Sequence, residues 1–263
     1  MITISDFTTL NLTIVANIAT ITLDRPKVNG MSIAMVKELV QVSKACKQDD
    51  DVRVVILTGA GAFFSAGGDV KAMAEGGDDG PRLLKEMADH LHSAISNFAR
   101  MSKPLIVAVN GMAAGGGLSL AMIGDVVIAS ESASFMMAYT AAGLTPDGSS
   151  TYFLPRIIGI RKTMELILTN RKLSADEAQS WHMVNQVVPD DQLMRTVMGL
   201  AMKLAEGPTD AYGEIKKLMY ATFENSLETQ MELEGQAISH RLATVNGKEG
   251  VKAFSEKRKP KFI

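Results

Sequence analysis

The stretch Pro104 to Ile123, PLIVAVNGMAAGGGLSLAMI, constrains this chain more than any other. Leu105 to Val109 is an uninterrupted apolar run with β-branched residues, which suits a buried strand. Asn110-Gly111 and the triple glycine Gly115-Gly116-Gly117 follow, after which Leu118, Ala121 and Met122 recur at helical spacing. The glycines therefore mark a turn from strand to helix, where backbone N–H groups without intrahelical partners face outward. Such a turn lets the backbone itself approach a ligand, and it favours negative charge.

The neighbouring segments repeat this arrangement. Residues 10–23 alternate apolar and polar around Ala16-Asn17 and predict a two-stranded hairpin. Residues 32–46 place Ile33, Val36, Leu39, Val40 and Ser43 on one helical face behind a Ser32 cap, with the acidic cluster Asp49 to Asp51 at the end. Val54 to Leu57 reads as a short buried strand, followed by a glycine-rich loop in which Asp69 is placed to cap the next helix or to contact a ligand. Residues 75–81, EGGDDGP, read as a mobile surface stretch; Leu83, Leu84, Met87, Leu91 and Ile95 predict a helix; Asp125 to Ala129 predicts another strand. Strand, glycine turn and helix in succession predict an α/β core with ligand chemistry at the strand ends.

From about residue 191 the pattern is helical throughout. Ser174 with Glu177 has capping-box spacing, shared by Asn225 with Glu228 and Asn246 with Glu249. The predicted organisation is a core over residues 1–190 and a helical region over 191–263, whose apolar surplus predicts a homo-oligomer. At 46% hydrophobic and 21% charged residues the chain reads as globular and able to build a large core. No apolar run approaches the roughly 20 residues of a spanning helix, so no membrane partner is expected. The formal net charge of −2 argues against nucleic acid. With no signal-peptide pattern and the single cysteine Cys46 read as buried filler, a cytoplasmic location is expected. His90, His92, His182 and His240 show no ligand spacing, and His90 and His92 diverge on their helix, so no metal is assigned.

Two motifs, FFSAGGDVKAM (Phe63 to Met73) and NGMAAGGGLSLAMIGDVVIAS (Asn110 to Ser130), resemble the crotonase family of enoyl-CoA hydratases and isomerases. Arg25-Pro26 with Asn29, the run Gly143 to Gly159 and the ending Glu249 to Phe262 match in the same order, so the resemblance spans essentially the whole chain. It implies a spiral of ββα units, helical trimer contacts and a CoA cover from residues 191–263, and a homotrimer or dimer of trimers. The implied ligand is an acyl-CoA thioester, as in fatty-acid or phenylacetate metabolism, with coenzyme A entering as part of the substrate and no separate cofactor. The resemblance also implies an oxyanion hole made by the N–H groups of Gly68 and Gly116. For the CoA moiety it points to Arg25 and Lys27 near the phosphates, Ala66 and Asp69 near the adenine, and Phe254 and Lys257 from the terminal helix.

The acid/base residues decide the reaction run on a common enolate. The two places where hydratases of this family carry glutamates hold Ser119 and Tyr139 here, and neither is a base near neutral pH. These two either orient the acyl group or simply line the pocket. Glu131 is out of register and reads as a surface charge. A carboxylate stands instead at Asp147, in Leu144-Thr145-Pro146-Asp147-Gly148, where the sequence is similar to the single-aspartate isomerase branch, ring-epoxide isomerases of phenylacetate degradation included. Asp147 also suits a turn or a helix cap. The expected function is double-bond isomerisation of an enoyl-CoA with Asp147 as the one acid/base. The alternatives are a hydratase or another lyase or hydrolase of this kind, and a non-catalytic acyl-CoA-binding member.

Overall fold

The computed structural model describes residues 7–69, 75 and 77–263. The hairpin forms as expected from β1 (Leu10–Val15) and β2 (Ile18–Leu23), with Ala16 and Asn17 at φ 51° and 63° in the left-handed turn between them. Helix α1 (Ile33–Gln48) crosses to β3 (Val54–Gly59), which lies parallel to β2. Ser32 caps α1 by accepting from the Met35 N–H.

From β3 onward the chain winds as a spiral in which each turn lays one strand in a large sheet and the next, shorter strand in a small one. The pairs are β3 with β4 (Phe63–Ser65), β5 (Leu105–Val109) with β6 (Met112–Ala114), and β7 (Val126–Ser130) with β8 (Ser134–Met136). The large sheet runs β1-β2-β3-β5-β7-β10, with β10 at Gln186–Val188, and is parallel beyond the hairpin. The small sheet runs β4-β6-β8-β9, closed by β9 (Leu173–Ser174). Asn110 ties successive turns together: its Oδ1 accepts from Gly59 N at 3.0 Å and its Nδ2 donates to Gly61 O at 2.9 Å.

The continuous apolar runs of β3 and β5 follow from burial on both faces. Val55, Leu57, Val107 and Val109 point into the core shared with α1, with α2 (Gly80–Arg100) and with Phe64 and Phe135 of the small sheet. Val54, Ile56, Ile106 and Ala108 meet Leu193, Val197 and Ala201 of α6 (Leu193–Ala205) on the other side. Among the described residues the other α-helices are α3 (Gly116–Ala121), α4 (Ser150–Thr169), α5 (Ala175–Ser180), α7 (Thr209–Ala221), α8 (Leu227–Ala243) and α9 (Val245–Ser255). No described helix is long and apolar enough to cross a membrane.

Several local readings change. Within the stretch 75–81, Gly77–Asp79 forms a 3-10 turn and Gly80-Pro81 opens α2, because proline is preorganised for a first helical turn. The Ser174–Glu177 capping box is present. Asn225 and Asn246 are not caps: Ser226 and Thr244, in extended conformation, accept from Thr229 N and Gly247 N instead. Asn246 lies inside α9, where its side chain holds the backbone of Ile263.

Candidate active site

The site is built from loops at the ends of the spiral's strands, and Asn29 organises the first of them. It is buried, stands at φ 49°, donates from Nδ2 to Ala60 O and Phe63 O at 2.9 and 2.8 Å, and accepts from Arg25 N. Arg25 in turn donates to Gly30 O at 2.8 Å and pairs with Asp69 at 2.7 Å. Met31 and the 67–69 loop exchange backbone hydrogen bonds, Met31 N to Gly67 O and Asp69 N to Met31 O. The Asp69 carboxylate thus braces this loop through Arg25, and its expected place as a helix cap falls outside the described residues.

This first loop presses directly on the triple-glycine turn. A Cβ on Gly67, at φ 88°, would lie 2.7 Å from Ala114 O and 3.1 Å from Gly116 N, and one on Gly117 would lie 2.2 Å from Ser65 O. Any side chain there would force the loops apart. The contact sets Gly68 and Gly116 in the wall of one cavity of about 410 Å³. Among the described residues, neither amide donates any of the backbone hydrogen bonds that order these loops. Met31, Met87, Leu91 and Leu144 make the cavity apolar, and Ala66, Tyr139 and Asp147 also line it.

The segment before α4 is fixed by one carbonyl. Asp147 O accepts from Ser119 Oγ at 2.8 Å, Tyr139 OH at 3.1 Å and Ser150 Oγ at 3.0 Å, and the chain then passes through left-handed conformations at Gly148 and Ser149. Ser119 Oγ and Tyr139 OH are themselves 3.0 Å apart. Ser119 is fully buried on α3. Burial pushes the Tyr139 phenol up to about 12, with the Ser119 hydrogen bond opposing, so the phenol stays protonated. The two residues at the vacated glutamate places therefore hold the backbone of the remaining carboxylate.

The Asp147 side chain meets His92, whose Nε2 lies 2.6 Å from Oδ1, with the two side chains 48% and 37% exposed. Sequence reading missed this pair. The residues are 55 positions apart, and only the packing of α2 against the turn before α4 joins them. His90 does diverge, lying 4.0 Å from Glu86 on the same helix. Asn29 was visible as a matching residue, but its bracing by Arg25 N, Ala60 O and Phe63 O was not. Glu131 is exposed, as expected. Of the residues expected near CoA, Ala66 lines the cavity, Arg25 and Asp69 brace its wall, and Lys27 is exposed. Phe254 and Lys257 are exposed at the end of α9 and do not line this cavity. Among the described residues there is no group of three or more potential metal ligands.

Comparison with known proteins agrees with this fold. The family model described as enoyl-CoA hydratase/isomerase matches residues 13–263. The chain is 39% identical over 249 residues to the 1,2-epoxyphenylacetyl-CoA isomerase of Escherichia coli K12, covering 93% of this chain and 94% of that one. It is 35% identical over 243 residues to 4-chlorobenzoyl coenzyme A dehalogenase-2 of an Arthrobacter species, covering 88% of each. The crystal structure of an enoyl-CoA hydratase from Bacillus anthracis superposes with a TM-score of 0.91 at 31% identity, covering 97% of this chain and 99% of that one. With the spiral of paired strands, the two abutting glycine loops and a match over nearly its full length, the chain belongs to the enoyl-CoA hydratase/isomerase, or crotonase, family of enzymes.

Proposed function

We propose that this enzyme shifts a double bond in an acyl-CoA thioester, of the 3-enoyl to 2-enoyl type, with Asp147 as its single acid/base. One observation carries the reading: among the described residues, the only carboxylate lining the cavity that holds Gly68 and Gly116 is Asp147, while Ser119 and Tyr139 serve its backbone. In this reading the Gly68 and Gly116 N–H groups hold the thioester oxygen as it becomes an enolate, an interaction worth about 2.7–4 kcal/mol per donor in comparable sites. Asp147 takes the proton from the carbon next to the thioester carbonyl. The electron pair spreads over a dienolate, and the same carboxyl returns the proton at the γ carbon. The apolar lining admits a hydrocarbon or ring-bearing acyl group. Coenzyme A enters as part of the substrate, with no separate cofactor in the scheme.

The similarity to an epoxyphenylacetyl-CoA isomerase supports the isomerase class and makes ring-derived thioesters the next substrates to try. A second reading, a water-dependent reaction, has one observation in its favour: an imidazole 2.6 Å from the carboxylate is also an arrangement that activates water.

The test is turnover of a 3-enoyl-CoA, followed as conjugated 2-enoyl-CoA, beside hydration of a 2-enoyl-CoA, in wild type and Asp147→Asn. The expected outcome is isomerisation in wild type, a fall on the order of 10²–10⁴ in the variant, and negligible hydration in both. Hydration that persists in Asp147→Asn overturns the assignment.

A further inference from the structure

A second cavity, of about 370 Å³, lies beside the acyl cavity in the cleft between α2 and the start of α4. His92, Ser96, Ser149, Tyr152 and Tyr220 line it. Leu91 faces the acyl cavity and His92, the next residue on α2, faces the second one. Asp147 lines the first cavity and reaches His92 at 2.6 Å, so the pair stands in the partition between the two.

The two ends of Asp147 are held differently. Its carbonyl is fixed by Ser119, Tyr139 and Ser150. The carboxyl has two rotatable bonds beyond that anchor and is 37% exposed, so solvent is open to it. The His92 contact is what stops that rotation, and it engages Oδ1.

We propose that His92 is the positioning residue for Asp147: its Nε2–H donates to Oδ1, locks the carboxyl across the partition and leaves Oδ2 to act as the base. The inference rests on the isomerase reading for its kinetic consequence. In that reaction the Cα–H bond breaks and its proton goes to Oδ2, while its electron pair enters the dienolate. The Oδ2–H bond then breaks as a new C–H bond forms at the γ carbon. His92 gains and loses nothing over the cycle and acts only through Asp147. Its ring is accessible from the second cavity, which has room for a free imidazole.

The experiment uses the full chain as wild type, His92→Ala, His92→Gln and Asp147→Asn, with 3-enoyl-CoA turnover and the ¹⁵N resonances of labelled histidine read with and without butyryl-CoA. His92→Ala is expected to lose kcat by up to about 10²-fold, the scale of a misplaced catalytic group, with KM little changed. Added imidazole should restore His92→Ala and leave Asp147→Asn dead. His92→Gln, whose amide also donates, should retain part of the rate. The His92 ring resonance should move in Asp147→Asn. An unchanged kcat in His92→Ala, a rise in KM alone, or a His92 resonance indifferent to Asp147→Asn overturns the proposal. If wild type does not isomerise at all, the isomerase reading falls, and the resonance comparison alone decides whether His92 holds Asp147.

Discussion

A carbonyl oxygen with three hydroxyl donors is a costly place to lose one of them, and Asp147 O is such a place. Ser119→Ala and Tyr139→Phe each remove one donor while others remain, so each is expected to cost about 0.5–1.5 kcal/mol of stability. Because the two hydroxyls also touch each other, at 3.0 Å, the double variant should depart from additivity. Denaturant melts of the four proteins measure the coupling, and kcat should fall with the loss of the anchor. Tyr139 itself enters no acid/base step in this account, since burial keeps its phenol protonated up to about pH 12. At this scale the sequence was readable where chemistry is written in adjacent letters. Gly68, Gly116 and Asp147 sit in glycine or Pro-Asp-Gly stretches whose backbone demands are local. His92 was not, because no local spacing encodes which turn of α2 meets a loop 55 residues later.

Among the elements, α9 and the chain after it show how one carboxylate sets a pH limit. Glu249 accepts from both Arg258 Nη atoms, at 2.6 and 2.9 Å, and from Lys261 N at 2.8 Å. The Arg258 guanidinium, helped by the Lys261 amide, pulls the Glu249 carboxyl down to about 2 from its ordinary 4.5. A depressed folded-state value means that the stabilisation is complete above 4.5 and is lost as the pH falls from 4.5 towards 2. The terminal segment is therefore expected to loosen over that window before the core does, seen as amide exchange rising first at residues 258–263, and Glu249→Gln should show the loosening at neutral pH. The long elements were legible because period and burial agree over many residues. The three-residue strands β4, β6 and β8 were not, since three residues display no period and their pairing is decided across turns of the spiral. The misplaced caps at Asn225 and Asn246 have the same origin: spacing alone does not say which polar residue is extended.

The whole molecule leaves much apolar surface on its C-terminal helices and on α4. Met219 and Phe223 near the end of α7, Leu227, Met231 and Ile238 on α8, and Ile160 and Leu168 on α4 are each more than half exposed, and α8 has no buried residue. We propose that other copies of the chain cover these exposed apolar side chains. Light scattering after size exclusion is expected to give three or six times the 28.2 kDa chain mass. Replacing Met231 and Ile238 by glutamate should give monomers with unchanged helicity; a monomeric wild type would refute the expectation.

The winding of the spiral also governs how this enzyme comes into being. Gly68 follows the first turn, Gly116 the second and Asp147 the third, and Gly67 can sit against Ala114 only once two turns are wound. No fragment of the chain short of about residue 150 can own a cavity with all three groups. Contacts so distant in sequence close late and slowly. If Gly68, Gly116 and Asp147 act as proposed, catalytic competence requires all three turns to be wound, and a chain stalled earlier has exposed strands and no ligand to rescue it.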